Sequence, residues 1–387
     1  MNYPRCVGWL SLSFILADAH AAYAPGNSLP PPPPPAKSSA PATASGSGTS
    51  APATPPASEI VLSNPRGLAI DAKGIIYIGD FDNGVIDKMT PDGKITFLAG
   101  GGSNTSNMDG KGAAATFNGP AGLAVDKDGN VFVADGDNNM VRKISPAGQV
   151  TTLAGSASAS AAVQLQGPMG VAVDAKGNVY VAETHGNTVR KISSDGTMTT
   201  FVGKTGAENT GSMDGKGAAA RFGQPRAIAV DSAGVVYIAD EQYGTVRKIA
   251  TDGTVSTLAG DASGATTSSK DGVGTKAGIT SPRGIAVDAK DNVYVADTDN
   301  GAIRKITPDG TVTTFAGKIG EAGFVDGKGA AARFAGPRGI AVDKDGNIYV
   351  ADSDNGAIRK ITPDGTVTTL GKTAPAPESV APPISKP

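Results

Sequence analysis

From Leu62 to Gly371 apolar and polar residues alternate over short runs, and no stretch shows the three-to-four spacing of an amphipathic helix. GIAVD, NVYVAD, AIRKI and TVTTFAG are representative: β-branched, with a period of two, and each closed by turn residues. An Asp-x-x-Gly-Asn type of sequence separates the first two runs and Pro-Asp-Gly the last two. In both, Gly or Asn supplies the positive φ of a hairpin turn. The pattern predicts four antiparallel strands, and it repeats. DNGAIRKITPDGTVTT stands unchanged at 299–314 and 354–369.

Aligned on the proline before each GIAVD-like run, the copies begin at Pro65, Pro120, Pro168, Pro225, Pro282 and Pro337, 48 to 57 residues apart. Three residues before every proline stands an apolar side chain: Leu62, Phe117, Leu165, Phe222, Ile279 and Phe334. Six consecutive four-stranded units of this length predict an all-β chain, a six-bladed β-propeller of antiparallel blades. The first copy is complete from its own lead-in, so no strand borrowed from the far terminus is expected.

The recurring P-x-G-[ILV]-A-[VI]-D, G-N-V-Y-V-A-D and N-x-[VI]-R-K-I elements resemble the NHL repeat over about 62–371. The resemblance implies the propeller fold. For function it implies a choice, because NHL-like propellers serve as protein-binding platforms, RNA-binding domains, receptor sensor domains and, with added residues, enzymes.

Outside the repeats the composition changes. Residues 1–21 read as a signal peptide, with an arginine, an apolar run from Cys6 to Ala17, and a small-x-small site at Ala19–Ala21. The alternative for that run is an uncleaved membrane anchor. Residues 22–58 and 372–387 are rich in Pro, Ala, Ser and Thr and are expected to be a disordered linker and tail around a propeller at 59–371. Cleavage would remove Cys6, Trp9 and His20, leaving His185 as the one histidine of the mature chain. We therefore expect an exported protein (periplasmic, envelope-associated or secreted) that is monomeric, without disulfides or a membrane span in its mature form. Charge is nearly balanced, with 34 Lys+Arg against 36 Asp+Glu, which argues against a nucleic-acid partner.

Blade topology sorts the loops. The first and third turns of each unit are uniform and share one face of the ring, while the second turn and the blade connections vary and share the other. Binding residues concentrate on variable loops held by a rigid scaffold, which makes Phe81 and Tyr243, on two of the second turns, candidates. Acids close the second strand of every unit: Asp80, Asp135, Glu183, Asp240, Asp297 and Asp352. They form either a carboxylate ring for a cation such as Ca²⁺ or six structural pairs. The spacing favours pairs, because Arg142, Arg190, Arg247, Arg304 and Arg359 each follow an acid by seven residues. The first unit has Asp87 at that position, with Arg66 as the expected alternative partner for Asp80.

The residue after each proline is Arg66, Ala121, Met169, Arg226, Arg283 or Arg338. In a closed ring the arginines form one contiguous arc beside the apolar Ala121 and Met169. Two roles are open to them, as partners of the strand-end acids or as a mouth for an anionic or amphiphilic ligand. DGKGAAARF at 214–222 and 326–334 lacks P-loop spacing and reads as a structured connection. One histidine and no cysteine in the mature chain exclude a multi-histidine zinc site and a Ser-His-Asp or Cys-His arrangement. Carboxylate-bound metal remains, as in gluconolactonase-like or lyase-type propellers, with Glu183 and nearby His185 the candidate ligands. The sequence thus reads as a binding platform for a protein or an anionic ligand, without a cofactor. The alternative is a divalent-metal enzyme in the channel.

Overall fold

The computed structural model describes residues 60–101, 106–155, 164–262 and 269–372. The expected signal segment, the linker and the tail from 373 lie outside them.

Six antiparallel sheets follow one another along the chain. Blade 1 comprises Pro65–Ile70, Ile76–Asp80, Val85–Met89 and Ile95–Gly100. Blades 2 to 6 repeat it with first strands at Pro120–Val125, Pro168–Val173, Pro225–Val230, Pro282–Val287 and Pro337–Val342. The first strand of each blade is innermost and lines the central channel. The last strand, Thr366–Lys372, takes in one residue assigned above to the tail.

The period-two pattern explains the packing. Alternate residues of each blade face opposite neighbours, so the core is divided among the spaces between blades. Phe222, fully buried, packs between blades 3 and 4 with Val189, Val202, Ile228 and Ile238. The ring closes in the same way: Leu62, Leu68 and Ile78 of blade 1 meet Ala341, Tyr349 and Ile358 of blade 6. Hydroxyls stitch the seams. Thr184 and Thr298 donate to the carbonyls of Pro225 (2.9 Å) and Pro337 (2.7 Å) in the next blade, and Ser353 donates to Pro65 across the closure (2.5 Å). Every blade is contiguous in sequence, as its lead-in predicts.

Four blades carry more than the expected strands. Gly110–Lys111, Gly215–Lys216, Gly272–Val273 and Gly327–Lys328 each pair with the outer strand of the blade they precede, making blades 2, 4, 5 and 6 five-stranded. The DGKG connections are therefore structural, and Phe117, Phe222 and Phe334 beneath them are buried, as expected.

Candidate functional site: the channel mouth

The strand-end acids are struts. Each accepts a backbone N–H from its own lead-in: Asp80 from Ser63 and Asn64, Asp135 from Asn118, Glu183 from Gln166, Asp240 from Gly223 and Gln224, Asp297 from Thr280, and Asp352 from Ala335. The expected arginines arrive from the third strand. Arg142, Arg304 and Arg359 approach Asp135, Asp297 and Asp352 at 2.7–3.0 Å, while Arg190–Glu183 and Arg247–Asp240 are looser at 3.7 and 3.9 Å. Burial pushes the carboxyls of Asp135, Glu183 and Asp352 up, and that of Asp240 up to about 6, against the hydrogen bonds that pull them down.

A second carboxylate escaped the sequence reading. Asp109, Asp214, Asp271 and Asp326, which open the DGKG-type connections, hold the other side of Arg142, Arg247, Arg304 and Arg359 at 2.6–2.9 Å. Each also accepts a threonine hydroxyl of the outer strand, from Thr152, Thr257, Thr314 or Thr369. These contacts span 33 and 43 residues, and only their repetition at fixed spacing could have revealed them.

The arginines after the prolines do something else. A register shift between Pro65 and Gly67, repeated in every blade, marks a bulge at this position, and the intervening residue lines the channel. Arg66, Arg226, Arg283 and Arg338 thus line one cavity with Ala121 and Met169, above a floor that includes Leu68, Val171, Ile228 and Ile340. Its volume is about 70 Å³, room for a few waters or one small anionic group. Arg66 is not the partner of Asp80. The bulge turns it into the channel, its guanidinium stacks on Phe81 with Cζ 3.4 Å from the ring centroid, and its Nε lies 3.4 Å from Asn64 Oδ1. The lead-in amides and Asn83 serve Asp80 instead.

Neutralisation around the mouth is uneven. Glu241 bridges Arg226 Nη1 (2.9 Å) and Arg283 Nε (2.7 Å). Arg338 has an exposed carboxylate, Asp354, at 3.9 Å, and its buried Nε has no hydrogen-bond partner among the described residues. Burial, then the charges of Arg338 and Arg226, bring Arg66 down to about 10; burial and Arg283 lower Arg338. The mouth is therefore short of negative charge on its Arg66–Arg338 side. Glu241, which sequence reasoning did not single out, left one signal. It follows the strand-end acid where the other blades have Phe81, Gly136, Thr184, Thr298 and Ser353.

The remaining candidates lie outside this cavity. Tyr243 is half-buried beside Gly223. Glu183 is buried and bound by the Gln166 N–H, the Thr188 hydroxyl and Arg190, whereas His185 is exposed with its ring beside Gly167. Among the described residues no three His, Cys, Asp or Glu side chains converge as a metal site, and no helix is long and apolar enough to cross a membrane.

Six antiparallel blades around a basic, apolar-floored cup define a six-bladed β-propeller with a solvent-facing channel mouth. The NHL repeat family matches residues 117–144, 280–306 and 334–361. The chain thus carries NHL repeats in three of its six blades. It is 28% identical over 334 residues to NHL repeat-containing protein 2 of Bos taurus, covering 76% of this chain and 46% of that one. The chain spans less than half the length of such curated relatives. Among solved structures, it resembles an auxiliary nutrient binding protein from Bacteroides thetaiotaomicron (TM-score 0.59, 17% identity, 80% of this chain and 70% of that one). It also resembles virginiamycin B lyase from Staphylococcus aureus (TM-score 0.51, 17% identity, 80% and 86%). At these identities the likeness is one of fold.

Proposed function

We propose that this protein is an exported binding platform whose channel mouth takes the anionic end of a ligand or partner protein. The observation that carries the reading is the uneven mouth, where Arg66 and Arg338 face one small cavity and Glu241 makes its ion pairs with their neighbours Arg226 and Arg283. A carboxylate or phosphate entering there supplies the acceptor that Arg338 Nε lacks and relieves the repulsion that lowers both arginines. The cavity admits a head group only, so the rest of the ligand lies on the variable face, with Met169, Ala121 and Phe81 offering apolar contact on one side.

Calorimetric titration with inorganic phosphate and with decanoate tests this. Both are expected to bind, decanoate more tightly, and Arg66→Ala/Arg338→Ala is expected to weaken both by about tenfold or more, the loss of a charge-assisted pair. Stability should change little, since Asp80 keeps all three of its donors. A double variant that binds both probes as tightly as the parent overturns the proposal.

A further inference from the structure

Five blades seat a guanidinium beside the strand-end acid, and blade 1 does not. In blade 2, Arg142 Nη1 lies 2.9 Å from Asp135 and 2.9 Å from the carbonyl of Thr116. Arg247, Arg304 and Arg359 donate to the matching carbonyls of Arg221, Gly278 and Arg333, and Arg190 to that of Gln164. Blade 1 keeps the frame. Asp87 pairs across the hairpin with Ile78 as Arg142 pairs with Val133, and the matching lead-in carbonyl belongs to Val61. That carbonyl is tied to the strand-end acid through Asn83, whose Nδ2 lies 3.1 Å from Val61 O and 2.9 Å from Asp80 Oδ2. On these two oxygens the Asn83 amide takes the place of the guanidinium, and the third strand contributes a second carboxylate, Asp87, where the other blades have arginine. Asp80 is 0% and Asp87 1% exposed, and Asp87 Oδ2 has no hydrogen-bond partner among the described residues.

We propose that blade 1 binds a hard divalent cation of the calcium class between the carboxylates of Asp80 and Asp87 and the carbonyl of Val61. The donor set is all oxygen, which selects Ca²⁺ or Mg²⁺ over zinc or copper. Two buried carboxylates need two positive charges for neutrality. A mixture of carboxylate and carbonyl oxygens suits the adaptable shell of Ca²⁺ better than the strict octahedron of Mg²⁺. The site is independent of the arginine mouth, so either proposal can fail alone.

The test is calorimetric titration of the chelator-treated full chain with CaCl2 at neutral pH, paired with thermal melts. We expect one site, with Kd of about 10⁻⁴–10⁻³ M, as in extracellular calcium modules, and a melting temperature raised by a few degrees (~2–4 °C) at saturation. Asp87→Asn should weaken binding at least about tenfold. Asp87→Arg restores the guanidinium of the other blades, so it should abolish calcium binding and melt above the parent in calcium-free buffer. It also carries the test if Asp87→Asn does not fold. Two results overturn the proposal: no heat and no melting shift in the parent, or Asp87→Arg binding calcium as the parent does.

Discussion

Replacing Arg304 with methionine removes a fully buried guanidinium while keeping most of its volume. Arg304 faces Asp297 (3.0 Å), the carbonyl of Gly278 (2.9 Å) and Asp271 (2.9 Å). Asp271 is half-exposed, keeps the Thr314 hydroxyl and can hydrate, so its loss is small. Asp297 is completely buried and cannot hydrate. Breaking a buried pair from one side costs about 3–5 kcal/mol. Asp297 retains the Thr280 N–H, the Asn300 amide and the Ser269 hydroxyl, which places the loss near the lower end, about 3 kcal/mol. At about 2 °C per kcal/mol for a large domain, the melting temperature should fall by about 6 °C. Arg190→Met in blade 3 is the internal control. Its pair is looser at 3.7 Å, so a smaller loss, about 1 kcal/mol, is expected. Adding Asp297→Asn to Arg304→Met should recover most of the loss, because no unpaired charge remains buried. Urea melts followed by far-UV circular dichroism measure all three. A loss below about 0.5 kcal/mol for Arg304→Met, or an equal loss for Arg190→Met, refutes the strut account.

Phe222→Ala empties a fully buried position between blades 3 and 4 and should cost about 3–5 kcal/mol in the same melts; a near-neutral result would mean that the connection is not anchored there. Gly284→Ala should destabilise strongly, since an added Cβ would stand 1.7 Å from the Arg338 carbonyl oxygen, and an unchanged melting temperature would show that the innermost strands can part. Glu241→Gln should raise the affinity for inorganic phosphate by freeing Arg226 and Arg283. Weaker phosphate binding would instead mean that Glu241 matters by fixing the two arginines in place.

Legibility in the sequence followed how local each interaction is. The strands, their hairpin turns and the acid-to-arginine spacing of seven all lie within one copy, so repetition exposes them. Arg142 and its partner Asp135 are one hairpin apart. Asp109 is not: it reaches Arg142 by adding a fifth strand to the blade, a pairing set by where the connection returns. Arg66 was misassigned because proximity in the alignment hides direction. It stands beside Pro65, which pairs with Asp80, yet the bulge sends its side chain to the opposite side, onto Phe81. Glu241 shows the same limit from the other direction. Its partner Arg283 belongs to the next blade, 42 residues on, and only ring geometry brings them together.

The glycines two places after five of the six prolines (the fourth copy has Ala227) fix more than a turn. A Cβ on Gly67 would fall 1.9 Å from the carbonyl oxygen of Ala121, and one on Gly339 2.3 Å from that of Arg66, so neighbouring innermost strands touch main chain to main chain. Along these seams the width of the bore is set by backbone contact, which leaves little room for a side chain between neighbouring strands. What varies around the bore is then the side chain mounted on the rim, one per blade, beside each proline. This chain spells that rim Arg, Ala, Met, Arg, Arg, Arg, so its positive charge is gathered on four neighbouring blades.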